Sequence, residues 1–314
     1  MSFSSEVKHE ITTVPFKPCC ERALLSAFLH INSNLLIVNK QMQLQIETEN
    51  AAIAKRMYQI IKNRYEVQIE LTVVRKQRLN KSNVYVLRVL EKGIEILEDV
   101  GIYSSKGMRE TPSKIITLKE CCAKAYLAGA FLASGSINAP TTANYHLEVS
   151  TAEEALSRYI MRLMKMFDIG AKVTERRGRY IVYVKAADQI ADFLKITGAH
   201  SKTLEFEDVR IQRDFRNSLT RLDNCEVANE VKTIKAGNAQ IDAIQKLIEH
   251  NRYSHIEERL IQVGDLRMEN PETSLNELIE LYQEKYNEPI SKSGLQHRFK
   301  KLIELAGKIE ESEQ

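Results

Sequence analysis

The chain has 314 residues, of which 43% are hydrophobic and 28% charged, with only 6 prolines, so a chain dominated by disordered tracts is excluded. Its formal net charge of +3 is too small to indicate a nucleic-acid partner, so that indication must come from where basic residues cluster. No window approaches the roughly 20 apolar residues that a membrane span needs, and we expect a cytoplasmic protein.

The first hundred residues alternate between helical and strand patterns. A helix of small and large apolar residues begins after Pro18, and the next segments switch between a period of two and a helical period. The predicted elements are helices over residues 3–13, 51–63 and 94–100, and strands over residues 35–38, 44–48, 67–74 and 84–89. The pattern predicts one compact α+β unit.

The same element order returns after Lys119. Residues 19–35, CCERALLSAFLHINSNL, align without a gap with residues 121–137, CCAKAYLAGAFLASGSI. Strands over 147–151, 171–176 and 180–185 and helices over 155–167 and 190–196 follow. The repeats therefore cover about 19–101 and 121–198, which predicts a pseudo-twofold pair. Gly129 lies inside the second copy of the helix, and since glycine costs about 1 kcal/mol there, it predicts close approach of a partner backbone.

The five cysteines include two adjacent pairs, one at the start of each copy of the repeated helix, and Cys225. Adjacent cysteines do not have the C-x-x-C spacing of a zinc site, and no pair of histidines nearby completes one. We therefore expect buried free thiols, no metal site and no cofactor.

The duplicated order and the segment LAGAFLASGS at 127–136 resemble the LAGLIDADG homing endonuclease fold. The resemblance implies two motif helices packed at the pseudo-twofold axis and two sheets that form a saddle on DNA. In such nucleases an acidic residue near the end of each motif holds a divalent metal ion. The matching positions here are Asn32 and Ser134, neither of which carries a charge, so we expect cleavage to be lost.

Basic residues cluster at the two hairpin tips without an acid among them. The resemblance makes them candidate phosphate contacts, although polar loop tips often carry such residues without a ligand. These candidates are Arg75, Lys76, Arg78, Lys81, Arg176, Arg177 and Arg179.

Past Gly198 the pattern is helical to the end, with a helical connector over 201–252 and a separate domain over 253–314. In that domain helices are predicted over 255–267 and 275–286, the second opened by a capping box of Ser274 and Glu277. A last basic helix follows the turn at Pro289, with no acid between Glu288 and Glu304. This is typical of a helix-turn-helix DNA reader, although a structural three-helix domain with a basic face has the same pattern. The candidate DNA-binding residues are Ser291, Lys292, Ser293, Gln296, His297, Arg298, Lys300 and Lys301.

The fold predicted is thus α+β, a duplicated LAGLIDADG-like αββαββα domain over 1–200 followed by an all-α helix-turn-helix domain. The combination, with NCEVANEVKTI and SKSGLQHRFKKL, resembles the WhiA family of bacterial regulators over nearly the whole chain. The resemblance implies a non-enzymatic, sequence-specific DNA-binding regulator of Gram-positive bacteria, nucleoid-associated, with a role in cell division and chromosome segregation or in sporulation. Its partners would be double-stranded DNA and another transcription regulator or RNA polymerase, with no membrane and no small-molecule substrate. An RNA-binding maturase and a residual nuclease remain alternatives.

Overall fold

The computed structural model describes residues 2–38, 41–75 and 83–313, apart from the side chains of residue 41 and residues 310–313. The chain divides into two compact units, Met1–Arg213 and Asp214–Gln314. No helix in the described ranges is both long and apolar enough to cross a lipid bilayer.

The first unit contains the duplicated α+β fold that the sequence predicts. Its helices are α1 (Phe3–Thr13), α2 (Pro18–Asn32), α3 (Ala51–Tyr65), α4 (Gly93–Asp99), α5 (Glu120–Ser134), α6 (Glu154–Lys165) and α7 (Ala187–Thr197). Its strands are β1 (Ser33–Val38), β2 (Gln41–Thr48), β3 (Ile69–Arg75), β4 (Asn83–Val89), β5 (Tyr103–Ser104), β6 (Gly107–Met108), β7 (Gly135–Ile137), β8 (Leu147–Thr151), β9 (Lys172–Arg176) and β10 (Arg179–Val184). The predicted elements are confirmed to within a few residues at each end. The small β5–β6 hairpin and the 3-10 turn after it, Lys114–Thr117, were not predicted because they are too short to show a period.

Two four-stranded sheets repeat one antiparallel topology. The first has the strand order β1-β2-β4-β3 and the second β7-β8-β10-β9. Corresponding strands therefore occupy corresponding places, which is the pseudo-twofold arrangement that the repeat predicts. The α3 helix starts where it does because Asn50 Oδ1 accepts hydrogen bonds from the backbone N–H groups of Ala52 and Ile53, at 2.9 and 3.3 Å.

The motif helices α2 and α5 form the centre of this unit. A Cβ placed on Gly129 would lie 2.2 Å from the carbonyl oxygen of Leu24, so the two backbones touch there. The predicted close approach is confirmed. Phe28 and Phe131 are fully buried, and the buried apolar residues of both repeats join one continuous core.

The helix α8 (His200–Glu249) covers the segment in which the sequence predicts a helical connector, and it includes the polar residues Asn224 and Asn229. The side chains of residues 213–232 are nearly all exposed, and polar residues cost little at exposed helical positions. The helix begins where the Glu10 carboxylate accepts hydrogen bonds from the backbone N–H groups of Ser201 and Lys202, at 2.7 and 3.0 Å.

The second unit is helical throughout. After a 3-10 turn, Tyr253–His255, it contains α9 (Glu258–Glu269), α10 (Leu275–Tyr286) and α11 (Lys292–Glu313). These helices enclose a core with Ile244 and Leu247 from the end of α8. The predicted capping box opens α10, since Ser274 N donates to Glu277 Oε2 at 2.9 Å and Glu277 N donates to Ser274 Oγ at 3.4 Å.

Candidate nucleic-acid interface

The N-terminal half of α11 presents a polar, acid-free face. Leu295, Phe299 and Leu302 are buried in the core of the second unit, which turns the residues between them outward. The exposed candidates are Ser291, Lys292, Ser293, Gln296, His297 and Lys300. Side chains of these types donate to and accept from base edges and phosphates, so the face is suited to a DNA groove.

Arg298 and Lys301 each have a partner outside this helix, whereas Lys300 pairs with Glu304 of the same helix at 3.8 Å. Arg298 is half-buried, and its guanidinium lies 5.4 Å from the centre of the Tyr282 ring and donates to the Tyr282 hydroxyl at 2.9 Å. Lys301 forms an ion pair with Glu257 at 2.5 Å, which lowers the pKa of that carboxyl. Both cations are therefore held toward α9 and α10, whereas Lys300 is not.

The start of α11 is fixed by its own first residues and by a buried arginine on α9. Ser291 Oγ accepts a hydrogen bond from Gly294 N at 3.1 Å, as an N-terminal cap does. Arg267 is only 2% exposed and lies 5.4 Å from the centre of the Phe299 ring. Its guanidinium also donates to Gln240 Oε1 at 2.9 Å and to the Thr273 carbonyl at 2.6 Å. Arg267 thus joins α8, the α9–α10 turn and α11, and we had not identified it from the sequence, where it resembles any surface arginine.

The second sheet carries a basic outer face. Arg176 pairs with Arg179, and Lys172 pairs with Tyr183, in the strand register of β9 and β10. Residues directly opposite one another share a face, and these lie on the face away from the buried Val182. Arg179 Nε donates to Ser150 Oγ at 2.6 Å on the same face.

The hairpin tip extends this face. Arg177 and Gly178 form the tip with φ values of 53° and 70°, and Arg177 is exposed. The structure therefore brings Arg176, Arg177 and Arg179 together at one end of the sheet.

The first sheet has a different outer face. Glu70 pairs with Arg88, which pairs in turn with Gln45 on β2, and Glu47 lies on the same side. Arg88 Nε donates to Gln45 Oε1 at 2.9 Å, so this cation already has a partner. Acidic groups thus offset the basic one on this face.

The candidate phosphate contacts of the first hairpin do not lie together on an outer sheet face in the described residues. By register Arg75 lies on the opposite side of the first sheet, which is the side of the buried Leu87. Lys76, Arg78 and Lys81 lie outside the described residues.

Asn32 and Ser134, the two positions that the resemblance aligns with nuclease carboxylates, form equivalent hydrogen bonds in the two repeats. Asn32 Nδ2 donates to the carbonyl oxygen of Glu47 at 2.7 Å, and Ser134 Oγ donates to the carbonyl oxygen of Ser150 at 2.6 Å. Each motif helix is thereby attached to the neighbouring strand of its own repeat. A carboxylate has no donor for such a carbonyl, so both side chains act here as hydrogen-bond donors where a nuclease has a metal ligand.

A cleft of about 880 Å³ opens beside Asn32 at the end of the first motif helix. Lys8 of α1 and Glu47 also line it. Burial lowers the pKa of Lys8 to about 8, because few groups replace the water that its ammonium loses. The cleft thus holds a cation of weakened basicity.

The cysteines are arranged otherwise than expected. Cys20 and Cys122 are buried, and burial raises the pKa of both thiols, that of Cys122 to about 11. Cys19 is half-buried and Cys121 and Cys225 are exposed, so the expectation of buried thiols was wrong for these three. Packing of the motif helices also brings the two adjacent pairs together.

Models of known protein families match three consecutive parts of the chain. The WhiA N-terminal LAGLIDADG-like domain matches residues 18–103, the WhiA LAGLIDADG-like domain residues 123–216, and the WhiA C-terminal HTH domain residues 219–306. The three matches together span nearly the whole chain.

Full-length relatives and a solved structure agree with these matches. The chain is 44% identical to proteins named "Probable cell division protein WhiA" from Bacillus cereus (strain B4264) and Bacillus cytotoxicus, over all of this chain and 98% of each relative. The crystal structure of full-length DUF199/WhiA from Thermatoga maritima has a similar fold, with a TM-score of 0.59 at 23% identity, over 98% of this chain and 99% of that one.

Proposed function

This chain belongs to the WhiA family, and from that premise we propose that it is a non-enzymatic, sequence-specific DNA-binding regulator. The process that we propose it serves is cell division, after the name of its Bacillus relatives. Chromosome segregation and sporulation are the further processes that the resemblance implies, with another transcription regulator or RNA polymerase as a second partner. Action at the nucleoid is part of the same proposal.

The observation that carries the proposal is the exposed face of α11. Helix-turn-helix proteins insert the start of their last helix into the major groove. Here that start carries Gln296 and His297, which can bond base edges, and Lys292 and Lys300, which can reach phosphates. The buried Leu295 below them fixes the direction of the face.

The second sheet is the surface that we propose for additional phosphate contacts. Its outer face carries Lys172, Arg176 and Arg179, with Arg177 at the tip, together with Glu148, whereas Glu47 and Glu70 offset Arg88 on the outer face of the first sheet. Each phosphate contact releases counterions, so the affinity that depends on this face falls as salt rises.

The proposal that the protein does not cleave DNA rests on the motif ends. Asn32 and Ser134 are uncharged and donate to strand carbonyls, so they do not supply the carboxylate oxygens that a catalytic Mg²⁺ requires. Specific nicking of DNA by the purified protein with Mg²⁺ or Mn²⁺ would contradict this part.

Point substitutions test the assignment better than deletion of the last domain, because Ile244 and Leu247 of α8 would lose the core that covers them. Gln296→Ala should change the preferred DNA site. The loss in binding free energy that distinguishes the correct base pair from a wrong one should be about 1–3 kcal/mol. Lys300→Ala should weaken binding to all sequences alike and lower the salt dependence by about one unit of slope. Both are measured by selection of bound sequences and by titration at several salt concentrations.

A control and a competitor complete the experiment. Lys308→Ala, further along the same helix, should leave the sequence preference unchanged. Structured RNA competing as well as duplex DNA would favour the maturase alternative. If Gln296→Ala left the preferred site unchanged while binding survived, α11 would not be the reader.

A further inference from the structure

Four cysteines meet at the N-terminal ends of the two motif helices. Cys19 and Cys20 lie in the first turn of α2, and Cys121 and Cys122 lie in the first turn of α5. Their four sulfur atoms all lie within 4.8 Å of one another. The repeat places the pairs at equivalent positions, and the contact between the helices brings the equivalent positions together.

This spacing fits four ligands around one ion. With Zn–S bonds of about 2.3 Å, the sulfurs of a tetrahedral site are about 3.8 Å apart. Cys19 Sγ and Cys20 Sγ are already 3.9 Å apart, and the other pairs need to move by about 1 Å or less to reach that value. An iron–sulfur cluster puts several atoms between its cysteines, so sulfurs this close fit a single ion instead.

We propose that Cys19, Cys20, Cys121 and Cys122 bind one structural Zn²⁺ ion, which ties together the two halves of the duplicated domain. Four thiolates in a tetrahedral set select zinc among the common divalent ions. The site is closed because all four positions are filled by protein, so its role is to stabilise the fold.

The lysines and helix dipoles beside the sulfurs favour the charge of such a site, and the acids of the same helix turns, Glu21 and Glu120, are each paired with a cation. Four thiolates and one Zn²⁺ leave two negative charges, and the positive ends of the α2 and α5 dipoles lie at the sulfurs. In the described part of the chain neither helix is capped by a side-chain oxygen. The flanking residue before each helix is instead a lysine, Lys17 in one repeat and Lys119 in the other.

The burial of the sulfurs also suits a structural ion. Cys20 and Cys122 are each 4% exposed and belong to the core of the first unit, whereas Cys19 and Cys121 lie toward solvent. An ion held between them would be covered on the inner side and could enter from the outer side. The local spacing of adjacent cysteines gave no sign of this because each pair supplies only half of the ligands.

The first test is the metal content of the full-length chain, purified under reducing conditions and supplied with Zn²⁺. We expect one zinc per chain by elemental mass spectrometry, and the intense visible bands of a tetrahedral thiolate site after exchange with Co²⁺. The double variant Cys19→Ser/Cys121→Ser should lose the metal and the bands, and the control Cys225→Ser should keep both. Absence of zinc from the wild type, or its retention in the double variant, would overturn the proposal.

The second test needs no variant, so it stands even if the double variant does not fold. Cys121 and Cys225 are both exposed, so their alkylation rates are directly comparable. With Zn²⁺ present, Cys121 should be protected and Cys225 should react, and a chelator should abolish the protection. The chelator should also lower the Tm of the first unit by on the order of 10 °C if zinc is held at a thousand times its Kd. Equal alkylation of the two cysteines in the presence of Zn²⁺, before the chelator is added, would refute the site.

Discussion

Replacing Gly129 by alanine should separate the motif helices, because this glycine faces backbone and not a side chain that can turn away. The new Cβ would lie 2.2 Å from the Leu24 carbonyl oxygen and 2.9 Å from the Leu24 carbonyl carbon. Ordinary contacts between carbon and oxygen are about 3.3 Å or longer, so the helices must move apart by about 1 Å.

The expected cost follows from two opposing effects. Alanine favours a helix interior by about 1 kcal/mol over glycine. Overpacking a close-packed seam costs about 1–3 kcal/mol and sometimes more, and here the obstacle is a rigid backbone, so we take the upper end. The free energy of unfolding of the first unit should therefore fall by about 2 kcal/mol, which lowers its Tm by about 4–8 °C.

Gly307 is a matched control, since it also lies inside a helix but a Cβ there would meet nothing within 4 Å. Gly307→Ala should raise the stability of the second unit by up to about 1 kcal/mol. Hydrogen exchange in increasing urea, followed by mass spectrometry, measures each unit separately through its own peptides. If Gly129→Ala stabilised the first unit as Gly307→Ala stabilises the second, the close contact of the motif helices would be refuted.

Three further predictions concern polar side chains that are removed from solvent, Lys8 and Asn32 partly and Arg267 almost completely. Lys8 has its pKa lowered to about 8 by burial, so the unfolded chain binds more protons from about pH 8 to 10.5 and stability rises with pH there. Lys8→Met should thus raise the free energy of unfolding by about 2–3 kcal/mol at pH 7, and urea unfolding at several pH values should show this gain shrinking above pH 8. Asn32→Asp should lower stability at pH 7 by about 1–3 kcal/mol, because its carboxylate would face the Glu47 carbonyl without a donor, and Asn32→Ser, which keeps a donor, should cost less in the same assay. Arg267→Lys should destabilise the second unit by about 2–4 kcal/mol, because one ammonium cannot replace a planar guanidinium whose separate nitrogens donate to Gln240 and the Thr273 carbonyl; unchanged thermal unfolding would contradict this.

Features that depend on local periodicity could be predicted from the sequence. The repeat predicted two equivalent halves, Gly129 predicted the contact of two backbones, and Ser274 with Glu277 predicted the start of α10. Each depends on residues close together in the chain or on a gapless alignment. The exposed face of α11 belongs to the same class, because Leu295, Phe299 and Leu302 are spaced as one helical stripe.

Features that depend on partners distant in the chain could not be predicted from the sequence. Arg298 and Lys300 look alike in the sequence, but only tertiary packing places Tyr282 beside Arg298. Arg75 and Arg176 both end a hairpin strand, but the strand register places Arg75 on the side of the buried core residues and Arg176 on the outer face of its sheet. A shift of one residue along a strand turns a side chain to the other side of the sheet.

The motif helices contain features of both kinds, those that the sequence predicts and those that only the tertiary structure decides. The sequence by itself determined that α2 and α5 are copies, that a backbone approaches Gly129, and that Asn32 and Ser134 carry no charge. Only the tertiary structure decided that these two side chains donate to strand carbonyls and that the cysteine pairs meet. The reason is physical: sequence patterns record which face of an element is buried, whereas distances between atoms far apart in the chain are set by how the elements pack.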